Sequence, residues 1–229
     1  MPKGYTGERR SRMLNRCGNL NWLRGRLVVK PLHHRKSLGG RLAVDFVNLG
    51  RVFSGATPRR LSWELLITFL EAASVVSPQR GSQLLSLPQV DSRSAEALLS
   101  RAVRLQSALR DAFSASVCKT RIGRECIEPL NEILRITEGH DELVSQASAW
   151  RLEFIAREDS LDWLLAAIAR SGAEILAEGA DPRLRLCANP GCGLFFCDTS
   201  RTRKRRWCSM STCGNRHKVA AFAQRHAQK

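Results

Sequence analysis

The sequence is poor in acidic residues, in tyrosine and in long apolar runs, and each shortage excludes a class of protein. Only 21 acidic residues stand against 37 Lys and Arg, a formal charge of +16, which argues against a basic partner. No apolar run approaches the ~20 residues that span a bilayer. Arginines interrupt Leu27–Val29, the only apolar cluster near a secretory-signal position. One Tyr in the whole chain argues against stacking on single strands. We therefore expect a cytoplasmic protein without a membrane partner.

Sequence motifs of common catalytic sites are also missing. The chain has no glycine-rich phosphate loop and no serine nucleophile elbow, and His33 and His34 have no partner at ligand spacing. The sequence therefore predicts a binding protein and not an enzyme. The alternative is an enzyme whose site in the N-terminal domain carries no recognisable motif.

Positive charge is concentrated at the two ends of the chain. Residues 1–38 hold ten basic residues and one acidic residue, residues 183–229 hold eleven and one, and residues 39–182 hold 16 and 19. This distribution favours nucleic acid as the partner, although basic ends can also serve solubility alone. Residues 1–38 predict a flexible basic arm. It either binds phosphate or is an upstream extension, with the true start downstream of Met1.

Residues 39–182 are predicted to form a mainly helical domain with a small sheet. Apolar spacing predicts a helix capped by Ser62 and helices over Ser94–Cys118, Glu125–Ile136 and Ser160 to about Glu178. The β-rich runs Leu42–Asn48 and Trp150–Ile155 predict strands. The arginines Arg101, Arg104 and Arg110 are expected on solvated helix faces.

Two Cys-x4-Cys pairs separated by fifteen residues are the strongest motif of the chain. They consist of Cys187 and Cys192, then Cys208 and Cys213. Four thiolates complete a tetrahedral zinc shell and leave no position for water, so a structural zinc ion is predicted. Cys118 and Cys126 are interpreted as small buried hydrophobes. Cys197, between the pairs, is interpreted as a packing residue, with ligand exchange or oxidation as alternatives.

The residues around these cysteines predict a treble-clef-like zinc module over residues 183–229. Leu194–Asp198 predicts a strand, residues 199–202 a turn and Arg203–Trp207 a returning strand, followed by a helix over Asn215–Gln228. Trp207 is interpreted as packing, and Asn215 as shaping the helix. The cations expected to contact nucleic acid are Arg201, Arg203, Lys204, Arg205, Arg206, Arg216 and Lys218. Phosphate contacts of this kind give affinity without reading bases.

Three stretches of the C-terminal segment carry a family resemblance. They are Cys187-Ala-Asn-Pro-Gly-Cys192, Asp198-Thr-Ser-Arg201 and Arg206-Trp207-Cys208-Ser-Met-Ser-Thr-Cys213-Gly-Asn-Arg216. The segment resembles the CGNR zinc finger family over about residues 183–220. Leu42–Asn48, the Trp63 helix and Leu130–Leu134 are similar to the ABATE domain, which precedes this finger in proteins regarded as stress-induced bacterial transcription regulators. Two features depart from the family pattern: Cys197, where an apolar residue is expected, and the N-terminal arm.

The resemblance and the charge pattern together predict a zinc-stabilised DNA-binding transcription regulator, associated with the nucleoid. Its N-terminal domain, residues 39–182, would sense a small molecule or form a homodimer. Asp45 and Asn48 are candidate pocket residues, with hydrogen bonding at a strand end as the alternative. DNA is favoured over RNA, and an RNA- or ribosome-associated zinc module is the second hypothesis.

Overall fold

The computed structural model describes residues 26–27, 40–51, 60–136, 139–146, 149–156, 161–177 and 183–227. The predicted arm, residues 1–38, lies outside the described residues except for strand β1 (Arg26–Leu27). This strand pairs antiparallel with Phe154 and Ile155, so one part of the arm is not the unstructured segment that we expected. The predicted cap at Ser160 and the helix end beyond residue 177 also lie outside the described residues.

The first described helix, α1 (Leu42–Asn48), occupies the run for which a strand was predicted, and that prediction is wrong. The residues Leu42, Ala43, Val44, Phe46 and Val47 are all buried. The run has only seven residues, of which only Asp45 and Asn48 are polar, and this is too short for a period that separates helix from strand. Packing on several sides therefore overrides the strand preference of its Val and Phe residues. As a helix, α1 brings Asp45 and Asn48 to one face.

Six further helices form the described bulk of the N-terminal domain. They are α2 (Trp63–Ala72), α3 (Pro78–Leu85), α4 (Leu87–Val90), α5 (Ser92–Cys118), α6 (Arg124–Ile136) and α7 (Trp163–Ala177). The Ser62 hydroxyl accepts a hydrogen bond from the Leu65 amide at 3.2 Å, which confirms the predicted cap of α2. The sequence did not predict α3 or α4, whose buried residues are too few for a clear period: Gly81, Leu84 and Leu87.

The small sheet of this domain is antiparallel. Strands β2 (Gly139–Gln146) and β3 (Ala149–Ala156) pair along their full length, and β1 adds to the other edge of β3. The strand predicted over Trp150–Ile155 is confirmed. Strand β2 was not predicted. Together, the helices and this sheet confirm the mainly helical fold class with a small sheet.

The hydrophobic core lies between α1, α5 and α7 and continues past the predicted domain boundary at residue 183. Gly172 of α7 allows a close approach to α5, because a Cβ atom there would lie 2.4 Å from Leu109 Cδ2. Two strands of the C-terminal segment, β4 (Leu184–Leu186) and β5 (Phe195–Cys197), place Leu184, Phe195 and Cys197 in the same core. The zinc module and the helical domain therefore share a packed interface. Over the described residues, no helix is both long and apolar enough to cross a membrane.

Candidate metal centre and basic surface

The four predicted ligands meet in one buried cluster. The Sγ atoms of Cys187, Cys192, Cys208 and Cys213 all lie within 4.8 Å of one another, and each side chain is at most 7% exposed. The Sγ of Cys208 lies 3.7 Å from that of Cys192 and 3.7 Å from that of Cys213. Sulfur atoms about 2.3 Å from a tetrahedral zinc ion lie about 3.8 Å apart, whereas a disulfide needs about 2.05 Å. The four cysteines thus form a structural zinc site.

The first ligand pair lies in a turn between β4 and β5. The Cys187 amide donates to the Leu194 carbonyl at 2.9 Å, which closes this turn. Inside the turn, the Asn189 side chain accepts from the Gly191 amide at 3.3 Å, and its Nδ2 donates to Cys213 Sγ at 3.5 Å. Asn189 therefore links the two ligand pairs.

The second ligand pair lies in a turn that leads directly into the C-terminal helix. A single π-helical turn, Met210–Gly214, contains Cys213 and is followed by α8 (Asn215–Ala227). A Cβ atom on Gly214 would lie 2.8 Å from Met210 Sδ, so a glycine suits this crowded turn. The Asn215 side chain donates to the Ser211 carbonyl at 3.3 Å and shapes the helix start, as predicted.

Strand β5 pairs with β4 and not with residues 203–207, which were predicted to form the second strand of the hairpin. Strand β5 pairs antiparallel with β4, with Leu184 opposite Cys197 and Leu186 opposite Phe195. Residues 203–207, predicted to return as a strand, instead approach the first ligand turn through the Arg206 carbonyl, which accepts from the Ala188 amide at 2.9 Å. The correction leaves the ligands unchanged, because both Cys-x4-Cys turns are still brought together.

The surroundings of the thiols show why the cluster needs a cation. Burial raises the pKa of the Cys192 thiol to about 11. The pKa of the Cys208 thiol is strongly raised, chiefly by burial and to a smaller extent by the charges of the neighbouring Cys187 and Cys192. Burial also acts on Cys213, but hydrogen bonds from Asn189 and the other thiols outweigh it and lower the pKa of Cys213. Several thiolates at this spacing would repel one another, and a zinc dication offsets that repulsion.

Asp198, the one acidic residue of 183–229, accepts hydrogen bonds inside the module. Its buried carboxylate accepts from the Ser200 hydroxyl at 2.6 Å, the Ser200 amide at 3.0 Å and the Arg205 amide at 2.8 Å. Burial alone would raise the pKa of Asp198, but these hydrogen bonds and the Arg205 charge lower it. The carboxylate is therefore held ionised in the turn that leads to Cys208.

Arg205 does not belong with the exposed cations among which the sequence placed it. Its guanidinium donates to the Trp207 carbonyl at 2.9 Å and to the Cys208 carbonyl, and lies 4.7 Å from the Phe196 ring centroid. These contacts hold the backbone of the second ligand pair. Arg205 therefore has a structural role, and its predicted contact with nucleic acid stays a prediction.

The other six predicted cations are exposed on the module. They are Arg201, Arg203, Lys204, Arg206, Arg216 and Lys218. The structure adds Arg185 and Arg225, also exposed, which the sequence analysis did not select. Arg185 is placed beside the turn by its bond to the Arg203 carbonyl at 3.3 Å, a contact that follows from the β4–β5 pairing. Their binding to nucleic acid stays a prediction.

Trp207 packs against the cysteine cluster, as predicted, and joins the turn to the helix. Its ring lies 4.7 Å from the His217 ring between centroids, and the Arg206 guanidinium lies 5.1 Å from the Trp207 centroid. A groove between the first ligand turn and α8 is lined by Asn189, Gly191, Trp207, Arg216, His217 and Ala220, among others. The side of α8 that bears Ala220 thus faces the metal-held turn.

The three remaining cysteines with predicted roles, Cys197, Cys126 and Cys118, differ in outcome. Cys197 is buried in the main core and lies outside the four-thiol cluster, in line with the packing interpretation. Cys126 is buried as expected. Cys118 is exposed at the end of α5, so its interpretation as a buried hydrophobe is wrong.

Of the two candidate pocket residues, Asp45 and Asn48, the structure shows a structural role for Asn48. Asn48 Nδ2 donates to the Phe195 carbonyl at 2.7 Å, and Asn48 Oδ1 accepts from the Phe195 amide at 2.9 Å. Its amide is therefore bound to the edge of β5. The alternative prediction, that these side chains form structural hydrogen bonds, is observed for Asn48, although at the end of a helix and not of a strand. A ligand pocket at Asp45 and Asn48 stays a prediction.

Arg110 was expected on a solvated face, and the structure corrects this. Its guanidinium donates to the Val47 carbonyl at the end of α1 at 2.5 Å and to the Gly193 carbonyl at 3.4 Å, and it lies 5.4 Å from the Phe195 ring. The pKa of Arg110 is lowered to about 10, chiefly by burial and to a smaller extent by the positive charge of Arg51. Arg110 therefore links the helical domain to the first ligand turn. Arg101 and Arg104 instead pair on the surface with Asp162 and Glu132.

The fold and the site define a zinc-finger protein whose finger is docked on a helical domain. Residues 183–226 match the family described as CGNR zinc finger. Residues 40–179 match the ABATE family, described as "Putative stress-induced transcription regulator". The second match covers more than half of the chain, so the chain belongs to the ABATE family and carries a CGNR zinc finger. No curated protein matches it.

Proposed function

We propose that the protein is a DNA-binding transcription regulator that holds duplex DNA through its zinc-stabilised C-terminal module. The observation that carries the proposal is the one-sided charge of this module. Eight exposed cations surround one metal-held turn and helix, and the single acidic residue, Asp198, is buried and bound internally. A rigid, nearly acid-free surface of this kind is the electrostatic footprint of a phosphate-binding protein.

The helical domain then has the regulatory role. Its sharing of a core with β4 and β5 supports a mechanical link, because a ligand or a second copy bound to the helices would act on packed residues such as Phe195. We propose that a small-molecule effector or homodimerisation changes DNA binding through this junction, that the protein works by binding instead of catalysis, and that it acts in the cytoplasm at the nucleoid.

The salt dependence of DNA binding tests the proposal. Replacing Arg203→Ala together with Lys204→Ala should weaken binding to every duplex alike and reduce the slope of log K against log salt by about 0.9 for each lost phosphate contact. The matched control is Arg121→Ala with Arg124→Ala, which removes two exposed charges from the helical domain. An unchanged slope in the finger variant, or an equal loss in the control, would contradict this contact surface.

RNA or ribosome association is the second candidate, because a basic zinc module also suits structured RNA. The same titration with matched structured RNA separates the two. Tighter binding to RNA than to duplex DNA at every salt concentration would favour that function.

A further inference from the structure

Among the residues that the structure describes, helix α8 projects from the zinc site with almost all of its surface uncovered. Every residue from Asn215 to His226 is exposed except Ala221, which is half-buried. A helix of 13 residues is marginal in water by itself. The start of this one is held by the Cys213 turn and by the stacking of His217 on Trp207. The described part of the chain thus leaves this helix exposed, at a position set by the ligand turn.

The two sides of α8 differ in character. Arg216, His217 and Ala220 line the groove beside Trp207. At 100° per residue, the opposite side carries Lys218, Val219, Phe222, Arg225 and His226. Val219 is 68% exposed and Phe222 is 57% exposed, and at a spacing of three residues they form one exposed apolar patch on the helix. We call these five residues the outer face of α8.

The charge on α8 favours a polyanion over a protein copy as the occupant of this face. No acidic residue occurs from residue 199 to residue 229. Two outer faces brought together would oppose Lys218 and Arg225 of each copy, and like charges in contact are destabilising. A polyanion instead matches these cations and leaves the apolar side chains to contact an uncharged surface between its phosphates.

We propose that the outer face of α8 enters the major groove of duplex DNA and reads base edges there. This inference rests on the proposed function, since it requires that the module bind DNA. The B-DNA major groove is about 12 Å wide and admits one α-helix, whereas the major groove of A-form RNA is too narrow for side-chain readout. Lys218 and Arg225 supply donors for guanine, and Val219 and Phe222 supply apolar contacts for thymine methyl groups.

The remaining cations fit the flanks of the same arrangement. Arg206 lies over Trp207 at the start of α8, and Arg203 and Lys204 precede it in the turn. With the helix in the groove, these residues contact phosphates and position the module without reading sequence. Base preference and salt-dependent affinity should therefore depend on different residues.

Selection from a random duplex library tests this separation in the zinc-loaded full chain. The wild type should enrich a defined motif. Lys218→Ala and Phe222→Ala should each lose or change the preference at one or two base positions, with a loss of discrimination of about 5- to 150-fold, or about 1–3 kcal/mol. Arg203→Ala with Lys204→Ala should lower affinity for all sequences and keep the motif. Gln224→Ala, an exposed change on the groove side, should alter neither.

Zinc content and helical circular dichroism should be equal in all variants, because the replaced side chains are exposed. An unchanged motif in both Lys218→Ala and Phe222→Ala overturns the inference. Duplex binding without any enriched motif, still weakened by the turn variant, also overturns it and leaves the proposed function standing. If the wild type binds no duplex, or prefers structured RNA, the proposed function fails together with the inference.

Discussion

Asn48 and Phe195 are joined by a reciprocal pair of hydrogen bonds across 147 residues of sequence. The Asn48 side chain donates to the Phe195 carbonyl at 2.7 Å and accepts from the Phe195 amide at 2.9 Å. A side-chain amide thus pairs with β5 as a neighbouring strand would. Because Asn48 ends the first helix and Phe195 lies three residues after Cys192, this pair connects the core of the helical domain to the zinc module.

Asn48→Ala should weaken this connection. It leaves the Phe195 amide and carbonyl without their partner in a half-buried position, and each such loss costs about 1–3 kcal/mol. We expect a lower free energy of unfolding in urea. Gln89→Ala removes an exposed amide as the control and should have little effect. Equal stability of Asn48→Ala and the wild type would show that the pair does not hold the two parts together.

Zinc removal should affect more than the finger. Cys208→Ser removes one of four ligands, and loss of tetrathiolate binding forfeits on the order of 10 kcal/mol of folding free energy in the module. Since Leu184 and Phe195 belong to the main core, the helical domain should also melt at a lower temperature. Thermal unfolding followed by circular dichroism measures this effect, with the exposed Cys118→Ser as the control. Stoichiometric zinc in Cys208→Ser would refute the ligand assignment.

Asp198→Asn should loosen the turn before Cys208. The change keeps the shape of the side chain but removes the charge that accepts from the Ser200 hydroxyl and the Arg205 amide. Hydrogen bonds to charged groups contribute about 1.5–3 kcal/mol each, so zinc should be lost faster to a chelator. Ser211→Ala, which alters a hydroxyl in the second ligand turn, is the comparison. An unchanged rate of zinc loss would show that Asp198 does not stabilise the zinc site.

Zinc binding should release at least two protons per ion at neutral pH and strengthen as the pH rises. Every ligand must bind as a thiolate. Burial raises the pKa of Cys192 to about 11 and also raises that of Cys208, so both thiols are protonated at neutral pH before binding. Calorimetry in buffers of different ionisation enthalpy counts the protons. A count near zero would mean that the ligands are already ionised and would contradict the shifts.

The sequence predicted the metal ligands better than it predicted the contacts that join the zinc module to the helical domain. The spacing of Cys187, Cys192, Cys208 and Cys213 identified all four ligands, because few other arrangements explain paired thiols in a basic segment. The helix–strand choice at Leu42–Asn48 failed, since a mostly apolar run of seven residues is too short for a clear period. The role of Arg110 depends on backbone carbonyls of distant segments, and that of Arg205 on nearby carbonyls that only the folded ligand turn brings to its side chain. A residue type alone does not reveal such partners.

The most direct test of the central claim is duplex DNA binding by one preparation of the protein before zinc removal, after chelation and after zinc is restored. The account predicts salt-sensitive binding that is lost with the metal and regained with it, because the exposed cations are positioned by the four-thiol cluster. Equal DNA affinity of the zinc-loaded and metal-free protein would show that the zinc module does not organise the DNA contact and would contradict the account.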